Sequence, residues 1–145
     1  MKNYKFLEHT ADIKFQAFGN SLEDSFLSCF EALKEIMIKN IKIKERKERK
    51  IKIKGRDLKN LLYNFLEEFL FLLDAKDFIS LKVSKIKIKK INKNKFELSA
   101  EVQGDMASNY KISNSVKAIT YSEMQLTNPS ENGSKKFECQ VVVDV

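Results

Sequence analysis

Three stretches of strict period-two alternation, Ile41 to Lys44, Ile51 to Lys54 and Ile86 to Lys89, constrain the fold more than any other feature of the chain. A repeat of two puts the isoleucines on one side of a strand and the lysines on the other, so these segments belong to a sheet with one face buried and one in water. The outward face is therefore studded with lysine. Such a face is either simply solvated or attracts phosphate backbones through counterion release, and the strands lack the interleaved aromatics that would favour the second reading. The formal charge of +7 does not decide between the two, because Lys, Ile, Asn and Phe are abundant together, as AT-biased coding alone produces.

Two longer stretches carry the helical period. Leu22, Phe26, Cys29, Phe30, Leu33 and Ile36 recur on one side after Ser21, which predicts an amphipathic helix over 22–38 with Ser21 at its N-cap. Asp57 caps a second helix whose stripe runs from Leu58 through Leu61, Leu62, Phe65, Leu66 and Phe69 to Leu73. So broad a stripe reads as core rather than as a ligand or lipid face, and this helix is expected to be the more buried. Met1 to Phe18 gives one strand or two short ones, broken at the polar knot Glu8 to Ile13, with a turn at Gly19.

The region 41–54 reads as one long edge-like strand. Leu81 and Val83 fall on odd positions but Ile86 and Ile88 on even ones, so a β-bulge near Ser84-Lys85 is expected. Asn92 to Asn94 turn the chain into a hairpin with Phe96 to Val102, and Gly104 to Ser115 reads as a surface loop. Strands at Val116 to Leu126 and Phe137 to Val143 flank a turn at Asn128 to Gly133. The predicted fold is α+β, with two helices packed on a mostly antiparallel or mixed sheet and residues 1–145 as one domain. A chain of this length can bury about two-thirds of its unfolded surface without staples.

Cys29 and Cys139 both sit in apolar-periodic stretches, which points to buried structural thiols rather than a disulfide framework or a zinc site. No apolar run approaches the ~18 residues of a membrane span, and the N-terminus has no signal-peptide core. A soluble, cytoplasmic protein is expected.

The chemistry concentrates at the two chain ends. Asp12 and Asp144 lie 132 positions apart, yet each flanks an apolar strand, and pairing of those strands would bring them together. Two adjoining carboxylates repel unless a cation joins them, and a hard ion such as Ca²⁺ or Mg²⁺ takes oxygen ligands of this kind, the carboxylate at Val145 being a possible third. Separate capping or solvated aspartates are the other reading. His9, the chain's single histidine, is either a hydrogen-bonded structural residue or a ligand. No nucleophile, base and acid set is present.

Glu8-His9-Thr10-Ala11-Asp12-Ile13, followed by Gly19-Asn20-Ser21-Leu22-Glu23-Asp24, resembles the opening signature of the archease family. Leu61 to Glu68, Val116 to Tyr121 and Val143-Asp144-Val145 resemble the same family in the same order, so the likeness spans essentially the whole chain. It implies a non-catalytic accessory protein of the GTP-dependent RNA ligase of tRNA splicing. Such a protein promotes guanylylation of the ligase's active-site histidine and its repeated turnover, and can broaden nucleotide use.

By the same resemblance, Asp12, Asp144 and Val145 correspond to metal-binding positions usually described with calcium. Glu8, His9, Lys117 and Tyr121 are implied partner-contacting residues, and tRNA is expected to be met only indirectly or weakly. Two departures stand out: Lys14 replaces a common Gly, and Ser122 a common His, which Ser cannot replace in proton transfer or metal ligation. Two other readings stay open from the residues, a general RNA-binding module acting through the basic sheet face and a hydrolase holding a metal with His9, Asp12 and Asp144.

Overall fold

The computed structural model describes residues 2–8, 12–38, 42, 46–111 and 116–145. In chain order the elements are β1 (Tyr4–Leu7), β2 (Ile13–Gly19), α1 (Leu22–Met37), β3 (Lys47–Gly55) and α2 (Leu58–Lys76). They continue with β4 (Phe78–Asn92), β5 (Lys95–Met106), β6 (Ala118–Thr127), a single-turn α3 (Pro129–Asn132) and β7 (Phe137–Asp144). The α+β class and the antiparallel pairing are as the sequence predicts, but the strands divide into two sheets, ordered β1-β2-β7-β6 and β3-β5-β4. Both helices serve both sheets. α1 packs on β2, β7 and β4, and α2 on β3, β4, β5 and β6, so one core of apolar side chains is shared. Alternation tells which face of a strand is buried, not which strand lies beside it, and the split is invisible before folding.

Local chemistry explains the element ends. Ser21 Oγ accepts from the Asp24 N–H at 3.1 Å, and Asp57 Oδ1 from the Asn60 N–H at 2.7 Å, satisfying donors that the first turns leave free. α1 proves the more buried helix, with nine of 16 residues buried against eight of 19 in α2. The apolar surface of α2 runs past the core, leaving Phe71 51% exposed.

The β4 bulge falls between Ser84 and Lys87, with Lys85 at φ 54°, and the hairpin to β5 closes at Asn92↔Lys95. The expected loop after Gly104 is shorter than predicted, because Gly104 to Met106 continue β5. Asp105 is fully buried there, and the Asn109 amide at 3.2 Å and the Tyr110 hydroxyl donate to its carboxylate. The turn at Asn128 to Gly133 is built as α3, closed by a capping box between Asn128 and Glu131. Of the long strand expected over 41–54, β3 occupies the second half, and residues 41 and 43–45 lie outside the described set. Cys29 and Cys139 are both buried and free. Among the described residues, no helix is long and apolar enough to cross a membrane.

Candidate metal centre at the sheet end

β2 and β7 are neighbours, with Lys14 opposite Val142 and Ile13 opposite Val143. The ladder ends at that pair, so Asp12 directly precedes it on one strand and Asp144 directly follows it on the other, and one further rung would set the two aspartates opposite each other. Directly opposed residues of an antiparallel pair hold their Cβ atoms about 4.5–5.5 Å apart, and the strand topology brings the two ends of the chain to the same sheet end. On its other side Asp144 pairs with Ala118 of β6, and the Lys117 N–H donates to the Asp144 carbonyl at 2.8 Å. Phe15, Ala17, Val141 and Val143 enter the core. Asp12 and Asp144 have the parity of Lys14 and Val142, on the sheet face turned away from the helices.

The donor chemistry of this corner suits a hard divalent cation. Both aspartates are partly buried, and among the described residues neither side chain has a hydrogen-bond or ion-pair partner. Like charges directly opposite one another destabilise a sheet, and a cation reverses the sign of that interaction. The pair is only part of a coordination shell: among the described residues, no three His, Cys, Asp or Glu side chains converge. Ca²⁺ takes six to eight oxygens, so the rest would come from main-chain carbonyls, water and the adjoining Val145, itself 37% exposed. His9 lies outside the described residues. Glu8 is exposed, at the rim of a groove of about 910 Å³ between β1 and α1. Phe6, Ile13 and Ile36 line the groove's apolar wall, and Asp12 stands at its edge.

Tyr121 lies on β6, the strand that flanks Asp144, and is held there by α2. Its ring stacks on Tyr63 at 4.3 Å with 6° between planes, and its hydroxyl accepts from the Asn60 amide at 2.7 Å, leaving it 44% exposed. Next to Ala118, the Ile119 N–H donates to Glu67 Oε1 at 3.3 Å. Burial, with the Glu67 charge second, raises the Tyr63 pKa. Asn60, Tyr63 and Glu67 thus brace the strand that flanks Asp144. They escaped the reading from sequence because polar residues on a helix with a broad apolar stripe look like its solvent side; their one signal was that Tyr63 and Glu67 fall in the helix segment that resembles the family. Of the two departures, Lys14 pairs with Glu123 at 3.1 Å, the residue after Ser122 in the irregular stretch of β6.

Fold and corner together define a small α+β protein in which two aspartates adjoin the last pair of the β2–β7 ladder, one of them lining a groove. The model of the Archease protein family (MTH1598/TM1083) matches residues 4–145. The chain is 32% identical over 147 residues to "Protein archease" of Pyrococcus abyssi, covering 100% of both chains. It is 33% identical over 144 residues to "Protein archease-like" of Drosophila melanogaster, covering 98% of this chain and 90% of that one. The solution structure of Methanobacterium thermoautotrophicum protein 1598 superposes with a TM-score of 0.80 at 28% identity, over 100% of both chains. The chain belongs to the archease family.

Proposed function

We propose that this protein activates a GTP-dependent tRNA-splicing RNA ligase, promoting guanylylation of the ligase's active-site histidine and its repeated turnover. The observation that carries this reading is the β2–β7 ladder, whose last pair, Ile13↔Val143, adjoins Asp12 on one strand and Asp144 on the other in a chain of this family. Asp12 and Asp144, with Val145 beside them, would hold a divalent ion, Ca²⁺ or Mg²⁺, and such an ion supplies positive charge for phosphate or carboxylate oxygens of the partner. Lys117 ties the start of β6 to the end of β7 through its N–H, which donates to the Asp144 carbonyl. Glu8 and the groove beside Asp12 offer the partner an apolar wall with an acidic rim.

The protein acts as a binding partner rather than as a catalyst. An activator needs only differential affinity: binding the guanylylation-competent ligase about a hundredfold better than the stalled one shifts that equilibrium by about 2.7 kcal/mol. The test is to add the protein to its cognate ligase and follow guanylylation and multiple turnover, with and without divalent ion. Asp12→Ala and Asp144→Ala should abolish activation with the fold intact. Full activation by a folded double variant refutes the role given to this corner, and no acceleration by the wild-type protein under any ion refutes the function.

A further inference from the structure

The outward face of the β3-β5-β4 sheet is strongly basic, and among the described residues no helix packs on it. Lys50, Lys52 and Lys54 of β3 and Lys82, Lys87 and Lys89 of β4 are all exposed, flanking a central β5 that contributes Glu97, Ser99 and Glu101. The register sets Glu101 beside Lys50, and Glu97 between Lys54 and Lys89. The three carboxylates of this face, Glu48, Glu97 and Glu101, are outnumbered by the lysines around them. Lys85 takes Glu101 at 2.9 Å, and Lys52 lies 3.9 Å from Glu97. Among the described residues, Lys50, Lys54, Lys82, Lys87 and Lys89 have no carboxylate oxygen within 4.0 Å, although the Lys50 charge acts on the neighbouring Glu101.

The face is also shaped. At the bulge that puts Lys85 at φ 54°, Lys50, Lys85 and Lys87 share a shallow groove of about 420 Å³ with Glu101, Ser99, Ala100, Ile51 and Ile86. Alternate residues repeat every ~6.7 Å along each strand, and the two lysine rows lie about 9.5 Å apart across β5. The outward residues are Lys, Glu, Ser and Gln, without the apolar centre that a protein interface needs or the side chains that enter a lipid surface. Nor does the face offer exposed aromatics on which single-stranded bases could stack. Regular ammonium groups on a polar sheet suit a duplex backbone contacted without reading its bases.

We propose that this face binds the phosphate backbone of a structured RNA, at a site separate from the Asp12–Asp144 corner. The choice of RNA over DNA rests on the function proposed above. Contact through the lysines explains why the charge is concentrated on one sheet face, and it makes the interaction weak and salt-dependent. Each phosphate neutralised contributes about 0.9 to the slope of log K against log salt, so five unpaired lysines set an upper bound of about 4.5.

The experiment is anisotropy titration of a fluorescent RNA hairpin with the full-length chain between 50 and 200 mM KCl, with no ligase present. The wild-type protein should bind with a slope of about −3 to −4.5, and Lys50→Gln, Lys54→Gln, Lys87→Gln and Lys89→Gln together should weaken binding more than tenfold and flatten the slope. Lys135→Gln with Lys136→Gln, on the other sheet's side of the chain, should change affinity less than twofold. Absence of RNA binding at 50 mM salt, unchanged affinity of the folded quadruple variant, tighter binding to the matched DNA duplex, or binding to phosphatidylserine vesicles but not to RNA each overturns the proposal. Failure here is distinguishable from failure of the ligase reading, because guanylylation in the absence of RNA tests the latter alone.

Discussion

Replacing Asp144 with Asn probes the acidic corner with a sign that depends on the ion. Two charges about 5 Å apart repel by about 0.8 kcal/mol in water and about 3 kcal/mol at an effective dielectric of 20. Because both aspartates are only partly buried, a value near 1 kcal/mol applies, toward the aqueous limit. In chelator at low salt, Asp144→Asn should therefore raise the melting temperature by about 3 °C. A divalent ion at a hundred times its Kd stabilises the wild-type fold by about 2.7 kcal/mol, a rise of about 8 °C, and the variant should lose most of that rise. Thermal unfolding followed by circular dichroism, in EDTA and in saturating Ca²⁺, measures both. An ion-induced shift in Asp144→Asn equal to that of the wild type, or a variant less stable than the wild type in chelator, would falsify the shared-ion reading of Asp12 and Asp144.

Gly104→Ala should destabilise the fold by about 2–4 kcal/mol, because the added Cβ would sit against the Ile79 carbonyl and 2.8 Å from the Phe78 ring, where β4 and β5 leave no room; urea unfolding measures it, and a cost under 0.5 kcal/mol would contradict that packing. Tyr4 has its pKa raised to about 12, first by burial and then by the Glu35 charge. A folded-state value above the unfolded one of about 10 means that the stability it contributes is complete below pH 10 and is lost as pH rises toward 12. Denaturation of the wild type between pH 9.5 and 11.5 should thus steepen relative to Tyr4→Phe, and parallel curves would remove Tyr4 as the cause.

Much of the local structure was legible before folding because its determinants lie within a few residues of one another. Ser21 and Asp57 cap helices by reaching the N–H three positions on, and the change of parity from Val83 to Ile86 is the bulge itself. The reading failed where a distant partner decides. Gly104 to Met106 look like loop, yet pairing with Phe78 to Ser80 makes them strand, and Asp105 is buried because Asn109 and Tyr110 satisfy it. Asn60 carries no sequence signal of its buried role, because the acceptor for its amide is Tyr121, 61 positions away.

By itself the sequence determined two capped amphipathic helices, strands with one lysine face, and aspartates next to the first core strand and at the end of the last. Each follows from periodicity or from hydrogen bonds that close within a turn. Tertiary structure alone decided that β2 lies against β7 and that β3, β5 and β4 form a sheet of their own. Strand pairing is chosen by how two helices bury their stripes against both sheets at once, a condition no single segment contains. From that choice come both the opposed carboxylates and the concentration of lysines on one uncovered face.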